Sequence, residues 1–297
     1  MNRGTLFGLA AYTMWGFFPI YWKLLADVSA SEILVNRIIW SLVFLVILLG
    51  VSRQWNWLSA VRRDRKTLVN LMIAACLLAI NWFTYIWGVN SGYIVETSLG
   101  YFINPLVNVL LGVLILRERL RVLQWVAVGV AALGVIYLTY SYGSLPWIAL
   151  TLAFSFGFYG LIKKRNTLAA TESLAGEMSV LALPAIIYLG WLILSGDAAF
   201  GSSSTLTHLL LVFSGVVTAT PLILFAAAAH RIPLSMLGLL QYIAPTLQFL
   251  IGIYVYGELF TRSRMIGFAI IWVALAIYIV DNIIHIRNQQ KLAAVAD

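Results

Sequence analysis

The chain of 297 residues is 62% hydrophobic and only 10% charged, with a mean hydropathy of +0.94 and a formal net charge of +8. Soluble chains carry about 25% charged residues and about 45–50% apolar ones, so this composition excludes a water-facing surface and predicts a chain set in lipid. The positive charge fits loops that face anionic headgroups and argues against nucleic-acid binding.

Apolar runs of about 20 residues, the length that crosses a bilayer, occur at 5–25, 32–51, 68–90, 95–116, 120–139, 146–163, 174–195, 206–229, 235–256 and 264–285. Lipid offers the backbone no hydrogen bonds, so each run is a helix or part of a closed barrel. The absence of period-2 alternation favours helices. The expected fold is therefore an all-α polytopic membrane protein of ten transmembrane helices. The first run is long and lacks a small-residue cleavage site, which predicts a retained span rather than a removed signal peptide. Cys76, the single cysteine, sits in the run MIAACLLAI as a small core residue, and one cysteine forms no intramolecular disulfide.

Basic residues orient the spans. With the N-terminus inside, fifteen of the 19 Lys and Arg fall on the inner side: Arg3, Arg53, Arg62, Arg63, Arg65, Lys66, Arg117, Arg119, Arg121, Lys163, Lys164, Arg165, Arg231, Arg287 and Lys291. Arg262 and Arg264 fall outside, and Lys23 and Arg37 lie within or at the ends of spans. The positive-inside rule then predicts both termini in the cytoplasm.

The chain also repeats. YFINPLVNVLLGVLILRER and QYIAPTLQFLIGIYVYGEL align without a gap, with Ile103/Ile243, Pro105/Pro245, Leu110/Leu250, Gly112/Gly252 and Glu118/Glu258 identical at an offset of 140. Glu32/Glu172 and Leu99/Leu239 share that offset, and Gly16/Gly157 and Lys23/Lys164 stand at 141. Two five-helix units follow, residues 1–140 and 141–297. Five is odd, so the second unit starts from the opposite side of the membrane and the repeats are inverted, as in secondary transporters.

The segments AAYTMWGFFPIYWKLL, SEILVNRIIWSLVF, SLGYFINPLVNVLLGVLILRERL, GSLPWIALTLAFSFGFYGLIKK and QYIAPTLQFLIGIYVYGE resemble the EamA family of the drug/metabolite transporter superfamily, and within it the RarD branch. The resemblance covers nearly the whole chain. It implies ten helices around a central cavity, bacterial inner-membrane residence and transport of small molecules.

Polar residues inside spans are costly and tend to face a bundle interior or a wet cavity. Tyr101, Asn104, Asn108 and Gly112 fall on one helical face beside Pro105, which removes a backbone donor. The ninth span repeats the pattern with Gln241, Pro245, Gln248 and Gly252. These stripes either line a cavity or act as interhelical glue; cavity lining is the working expectation. The third span adds Asn81, Trp82, Thr84, Tyr85 and Gly88, with Trp87 beside them, and the first adds Tyr12, Trp15, Gly16, Pro19 and Lys23. Trp15 and Trp82 are the tryptophans expected to touch a substrate, the others to anchor or pack.

Arg37 lies about 9 Å inside its span at about 1.5 Å per residue. It either snorkels to the surface or faces inward near Lys23 and Glu96 as a gate that draws anionic or zwitterionic groups. At the repeat offset stands Glu177, a charge of opposite sign, which points to asymmetric gates. Glu177 either pairs with Lys163 or Lys164 or carries a coupling proton. His208, His230 and His285 are isolated, with no HExxH, clustered Asp, Gly-x-Ser-x-Gly or Walker A motif, so no metal, cofactor, catalytic residue or ATP hydrolysis is expected. The expected function is a secondary transporter of a small organic metabolite or drug, working as an exporter. A passive channel, a structural membrane subunit and an intramembrane enzyme are the alternatives. The oligomeric state is not encoded in these patterns.

Overall fold

The computed structural model describes residues 3–53, 55, 58, 61, 64–116, 120–142, 144–164, 168–229, 231–232 and 240–296. Arg62, Arg63, Arg117, Glu118, Arg119, Arg165, His230 and the predicted start of the ninth span, with Leu239, lie outside the described residues. The described residues form eleven α-helices and no strand: α1 (Arg3–Gly16), α2 (Phe18–Lys23), α3 (Ala30–Ser52), α4 (Arg65–Asn90), α5 (Ile94–Leu116), α6 (Val122–Tyr142), α7 (Trp147–Lys164), α8 (Ala170–Ser195), α9 (Thr205–Ala229), α10 (Ile243–Leu250) and α11 (Arg262–Ala296). A π-helical turn, Ile251–Val255, continues α10. Seven of these helices, α3, α4, α5, α6, α8, α9 and the first part of α11, are long and apolar enough to cross a membrane, while α7 and α10 with its π-turn are shorter apolar helices.

Local chemistry sets the ends. Ser29 Oγ accepts from the Glu32 N–H at 3.3 Å at the start of α3, and Arg53, with φ of 53°, closes it in the left-handed region. Asp64 caps α4, its carboxylate accepting from the N–H groups of Lys66 at 3.0 Å and Thr67 at 3.1 Å. The Thr67 hydroxyl and these amides hold the Asp64 carboxyl below its usual range, because hydrogen bonds to the charged form favour it.

Three predicted spans differ from the structure. The first is not one helix: α1 stops at Gly16 and α2 restarts at Phe18. Pro19 sits in the opening turn of α2, where its missing N–H leaves no carbonyl unpaired. In the ninth span, Pro245 likewise falls in the first turn of α10 rather than in its interior, so it frees no carbonyl as its repeat partner Pro105, inside α5, can. At the other end of the chain α11 runs to Ala296, well beyond the predicted 285.

The helices pack in definite pairs. α3 lies against α8 and α9, α9 against α1, α4 against α7 and α8, α5 against α7, and α10 against α1 and α5. α6 and α11 pair closely, and both also pack on α5. Leu138 fills the place where a Gly267 side chain would stand, Ile271 does so at Gly134, and Arg121 Nε donates to Asp281 Oδ2 at 2.7 Å. Lipid tails are as apolar as leucine, so helices associate through close backbone approach rather than hydrophobic exclusion. Gly215 of α9, which lies directly against the Trp40 backbone of α3, is where that approach is closest.

Candidate functional site

A cavity of about 370 Å³ lies in the middle of the bundle, within the about 300–1,000 Å³ common for small-molecule sites. Its wall takes residues from α1, α2, α3, α4, α5, α7, α8, α9 and α10, and none from α6 or α11. Of the residues expected at a cavity, Tyr12, Trp15, Asn81, Trp82, Tyr85, Tyr101, Gln241 and Gln248 line it, and so does Arg37. The wall is chiefly aromatic. Tyr12 meets Trp15 edge-on at 5.3 Å between ring centroids, Phe225 stands 5.8 Å from Trp15, and Tyr85 meets Tyr101 at 5.7 Å.

The amides divide between wall and packing. Asn81 Nδ2 donates to the Leu152 carbonyl at 3.1 Å and to Ser155 Oγ at 3.0 Å, while its Oδ1 accepts from the Tyr101 hydroxyl at 3.3 Å. Gln248 Nε2 donates to the Trp15 carbonyl at 3.0 Å, and its Oε1 is buried without a partner. Asn104 and Asn108 are not on the wall, contrary to expectation. Asn104 is buried and its Nδ2 donates across to the Ala153 carbonyl of α7 at 3.1 Å. Asn108 is exposed and donates to Asn104 Oδ1 at 3.1 Å. Helix-packing glue describes Asn104, since an intramembrane amide takes whatever acceptor the nearest backbone offers; the Asn108 bond stays within α5.

Arg37 does not snorkel. It is 3% exposed, its Nε donates to Thr218 Oγ1 at 2.7 Å, and its Cζ stands 3.8 Å from the Trp82 ring centroid, 5.0 Å from Trp22 and 5.8 Å from Phe18. Its Nη1 is buried without a partner. Among the described residues the ion pairs are Arg121–Asp281 and Lys163–Glu177, so no described carboxylate neutralises it. A mid-span arginine costs about 2.5–3.5 kcal/mol on insertion scales. A desolvated cation–π contact returns about 2 kcal/mol or more and a hydrogen bond to a charged group about 1.5–3 kcal/mol, so rings and one hydroxyl offset the burial without a counter-ion.

Lys23 and Glu96, expected beside Arg37, are held elsewhere, because each finds a backbone partner at its own helix end. Lys23 Nζ donates to the Asn90 carbonyl at 3.1 Å and faces the Tyr256 ring at 5.6 Å. Glu96 faces the backbone amides of Ile148 and Ala149 at the start of α7. Two further carboxylates clasp the same end of the bundle. Glu258 accepts from the N–H groups of Ile94 at 2.6 Å and Val95 at 2.8 Å, and Glu32 from those of Phe200 at 2.7 Å and Ala199 at 3.0 Å. Beneath the clasps, Trp22, Leu25, Val28, Ile33, Ile86, Val89 and Ile94 pack as one buried cluster. The cavity stops at Arg37 and Phe18 below this plug and runs the other way to Lys163 and Thr171.

At that far end Glu177 is fully buried. It accepts from Lys163 Nζ at 2.7 Å, Ser173 Oγ at 2.9 Å and the Tyr159 hydroxyl at 3.0 Å. Lys163 is thus its partner, as one of the two expectations had it. Thr218, Phe156, Phe225 and the two clasping carboxylates were not singled out as site residues. The only sequence signal for the clasps was the recurrence of Glu32 and Glu258 at the repeat offset.

Residues 2–140 match the EamA-like transporter family. Protein RarD of Streptomyces exfoliatus is 46% identical over 296 residues, which cover 99% of this chain and 94% of that protein. The chain belongs to the EamA-like transporter family. Within that family it is RarD-type: Protein RarD of Escherichia coli K12 is 45% identical over 290 residues, 98% of each chain. An uncharacterised transporter of Bacillus subtilis, YojE, is 49% identical over 282 residues, 93% of each. A solved crystal structure with 20% identity and a TM-score of 0.61, covering 92% of this chain and 96% of its own, shares the fold. This EamA-like chain is therefore a multi-pass membrane transporter and an all-helical one.

Proposed function

We propose that the chain is a secondary transporter which exports small organic molecules across the bacterial inner membrane by alternating access. The observation that carries this is the one-sided cavity, plugged and clasped at the Glu32/Glu258 end and extending to Lys163 at the other. Two inverted halves of five spans, residues 1–140 and 141–297, supply the second, mirror conformation. The packing supports that pseudo-symmetry. Exchanging the halves maps α1 on α9 to α7 on α4, α5 on α7 to α10 on α1, and α3 on α9 to α8 on α4, while α3 with α8 and α6 with α11 map onto themselves. Inverted repeats of this kind let one site open to either side.

The basic residues Arg53, Lys66, Arg121 and Lys163 support an open end that faces the cytoplasm, with both termini on that side. A cytoplasm-active reporter fused after Asp297 is expected to be active and one inserted at Ser203 inactive; the reverse pair would invert the molecule and turn the export direction around.

The transport reading is tested with purified protein in liposomes, using a compound chosen by a thermal-shift screen of metabolites and drugs. Flux is expected to saturate and to show counter-flow. Linear flux without counter-flow would mean a channel, and none at all a structural subunit. Protons are the proposed coupling ion and Glu177, linked to the cavity wall through Tyr159 and Lys163, the proposed carrier. Glu177→Gln is expected to abolish flux driven by an imposed pH gradient while leaving exchange at equal pH intact. If gradient-driven flux survives, movement is facilitated diffusion.

A further inference from the structure

We propose that the cavity is built for an organic anion with an aromatic or branched apolar body, its carboxylate seated on Arg37. The proposal rests on the transport reading above and gives that site a substrate class. The guanidinium is 3% exposed, borders the cavity, and keeps one arm, Nη1, without a hydrogen-bond partner. The groups around it, Thr218, Trp82, Trp22 and Phe18, are all neutral. The other cation on the wall, Lys163, is already paired with Glu177. The described wall therefore carries one uncompensated positive charge, at its deep end, in surroundings of low dielectric where water screens it little.

Three ligand classes meet that charge differently. A cation is repelled by it. A neutral molecule leaves the Nη1 arm unsatisfied, which is the costly outcome for a buried charged donor. An anion satisfies it, and a carboxylate matches the planar fork of arginine. A second donor stands close by: the buried Tyr85 hydroxyl, one helical turn from Trp82, has no partner either. Farther along the wall, Trp15, Phe156 and Phe225 offer rings to an apolar body. Gln248 Oε1, the unpartnered acceptor, suits an N–H or O–H substituent on that body.

Matched pairs of acid and amide test this directly. Wild-type protein in lipid nanodiscs is titrated with 3-phenylpropionate against 3-phenylpropionamide, and 4-phenylbutyrate against 4-phenylbutyramide, reading quenching of tryptophan fluorescence. Each acid is expected to bind at least tenfold more tightly than its amide, and Arg37→Gln is expected to erase the difference. Amides that equal the acids, acids that do not bind, or an acid preference that survives in Arg37→Gln would each overturn the anion seat. Should Arg37→Gln fail to fold, the wild-type ratio decides alone. Flux of the same acids in liposomes separates the two readings. Acid-selective binding with no saturable flux removes the transporter and keeps the seat; saturable flux indifferent to charge keeps the transporter and removes the seat.

Discussion

With both clasps removed, in Glu32→Ala combined with Glu258→Ala, the cavity is expected to become accessible from the end that is shut in the structure. Each carboxylate accepts two backbone N–H groups from a distant part of the chain, Glu258 from the start of α5 and Glu32 from the loop before α9. Hydrogen bonds to a charged group contribute about 1.5–3 kcal/mol each. Losing one clasp thus shifts the balance between closed and open by about 3 kcal/mol, roughly a hundredfold at about 1.4 kcal/mol per decade. The readout is a single cysteine at Phe156 in a Cys76→Ala background, labelled by a membrane-impermeant thiol reagent from the clasp side. Labelling is expected to accelerate about a hundredfold in either single variant and more in the double. Unchanged labelling would reduce the clasps to helix caps and leave closure to the Trp22 cluster alone.

Acid should tighten the same end. Burial raises the Glu258 carboxyl above its usual range, although the Val95 and Ile94 amides pull it back down. As pH falls, Glu258 takes up its proton before an ordinary surface glutamate does. The closed end, where burial makes Glu258 hold its proton more tightly than it would when opened to water, is favoured as pH falls, so labelling from the clasp side falls on acidification. In Glu258→Gln that pH dependence should shrink.

The second large effect is expected at a glycine. A Cβ on Gly215 would stand 2.3 Å from the Trp40 carbonyl carbon and 2.4 Å from its oxygen. Backbone cannot swing aside as a side chain can, so Gly215→Ala must push α9 away from α3. Overpacking costs about 1–3 kcal/mol, and with backbone as the obstacle the upper figure of about 3 kcal/mol is expected, with a clear fall in thermal midpoint in detergent. Gly129→Ala in α6 is the control, because nothing lies within 4 Å of its Cβ position. There the better helix propensity of alanine, about 1 kcal/mol, is expected to leave stability equal or higher. Equal behaviour of the two variants would mean that α3 and α9 can separate freely.

Gly129 and Gly215 also show where sequence stops being informative. Both are glycines in apolar runs, and only the neighbour, far away in the chain, tells them apart. Hydropathy located the spans because insertion in lipid depends on the local run of side chains, and it missed the break at Phe17 because a helix can turn without becoming less apolar. Helical spacing put Asn104 and Asn108 on one face, as it did Gln241 and Gln248, but spacing says nothing about which helix that face meets. For Asn104 it is the α7 backbone; for the second pair it is the cavity. Arg37 was legible as a costly charge deep in a span. Its hydroxyl partner, Thr218, stands 181 positions on, beyond any local pattern.

The absence of α6 and α11 from the cavity wall has a consequence for how such a protein can change. Eight of the predicted ten spans shape the vessel that holds the cargo, while these two, bound to one another by glycine contacts and by Arg121 and Asp281, contribute nothing to its wall. Substitutions on their outer faces meet lipid alone. Adaptation to a thicker, thinner or differently charged bilayer can therefore proceed on the frame while cargo choice evolves in the vessel, and a chimera that grafts the α6–α11 pair of one relative onto another should keep the selectivity of the recipient.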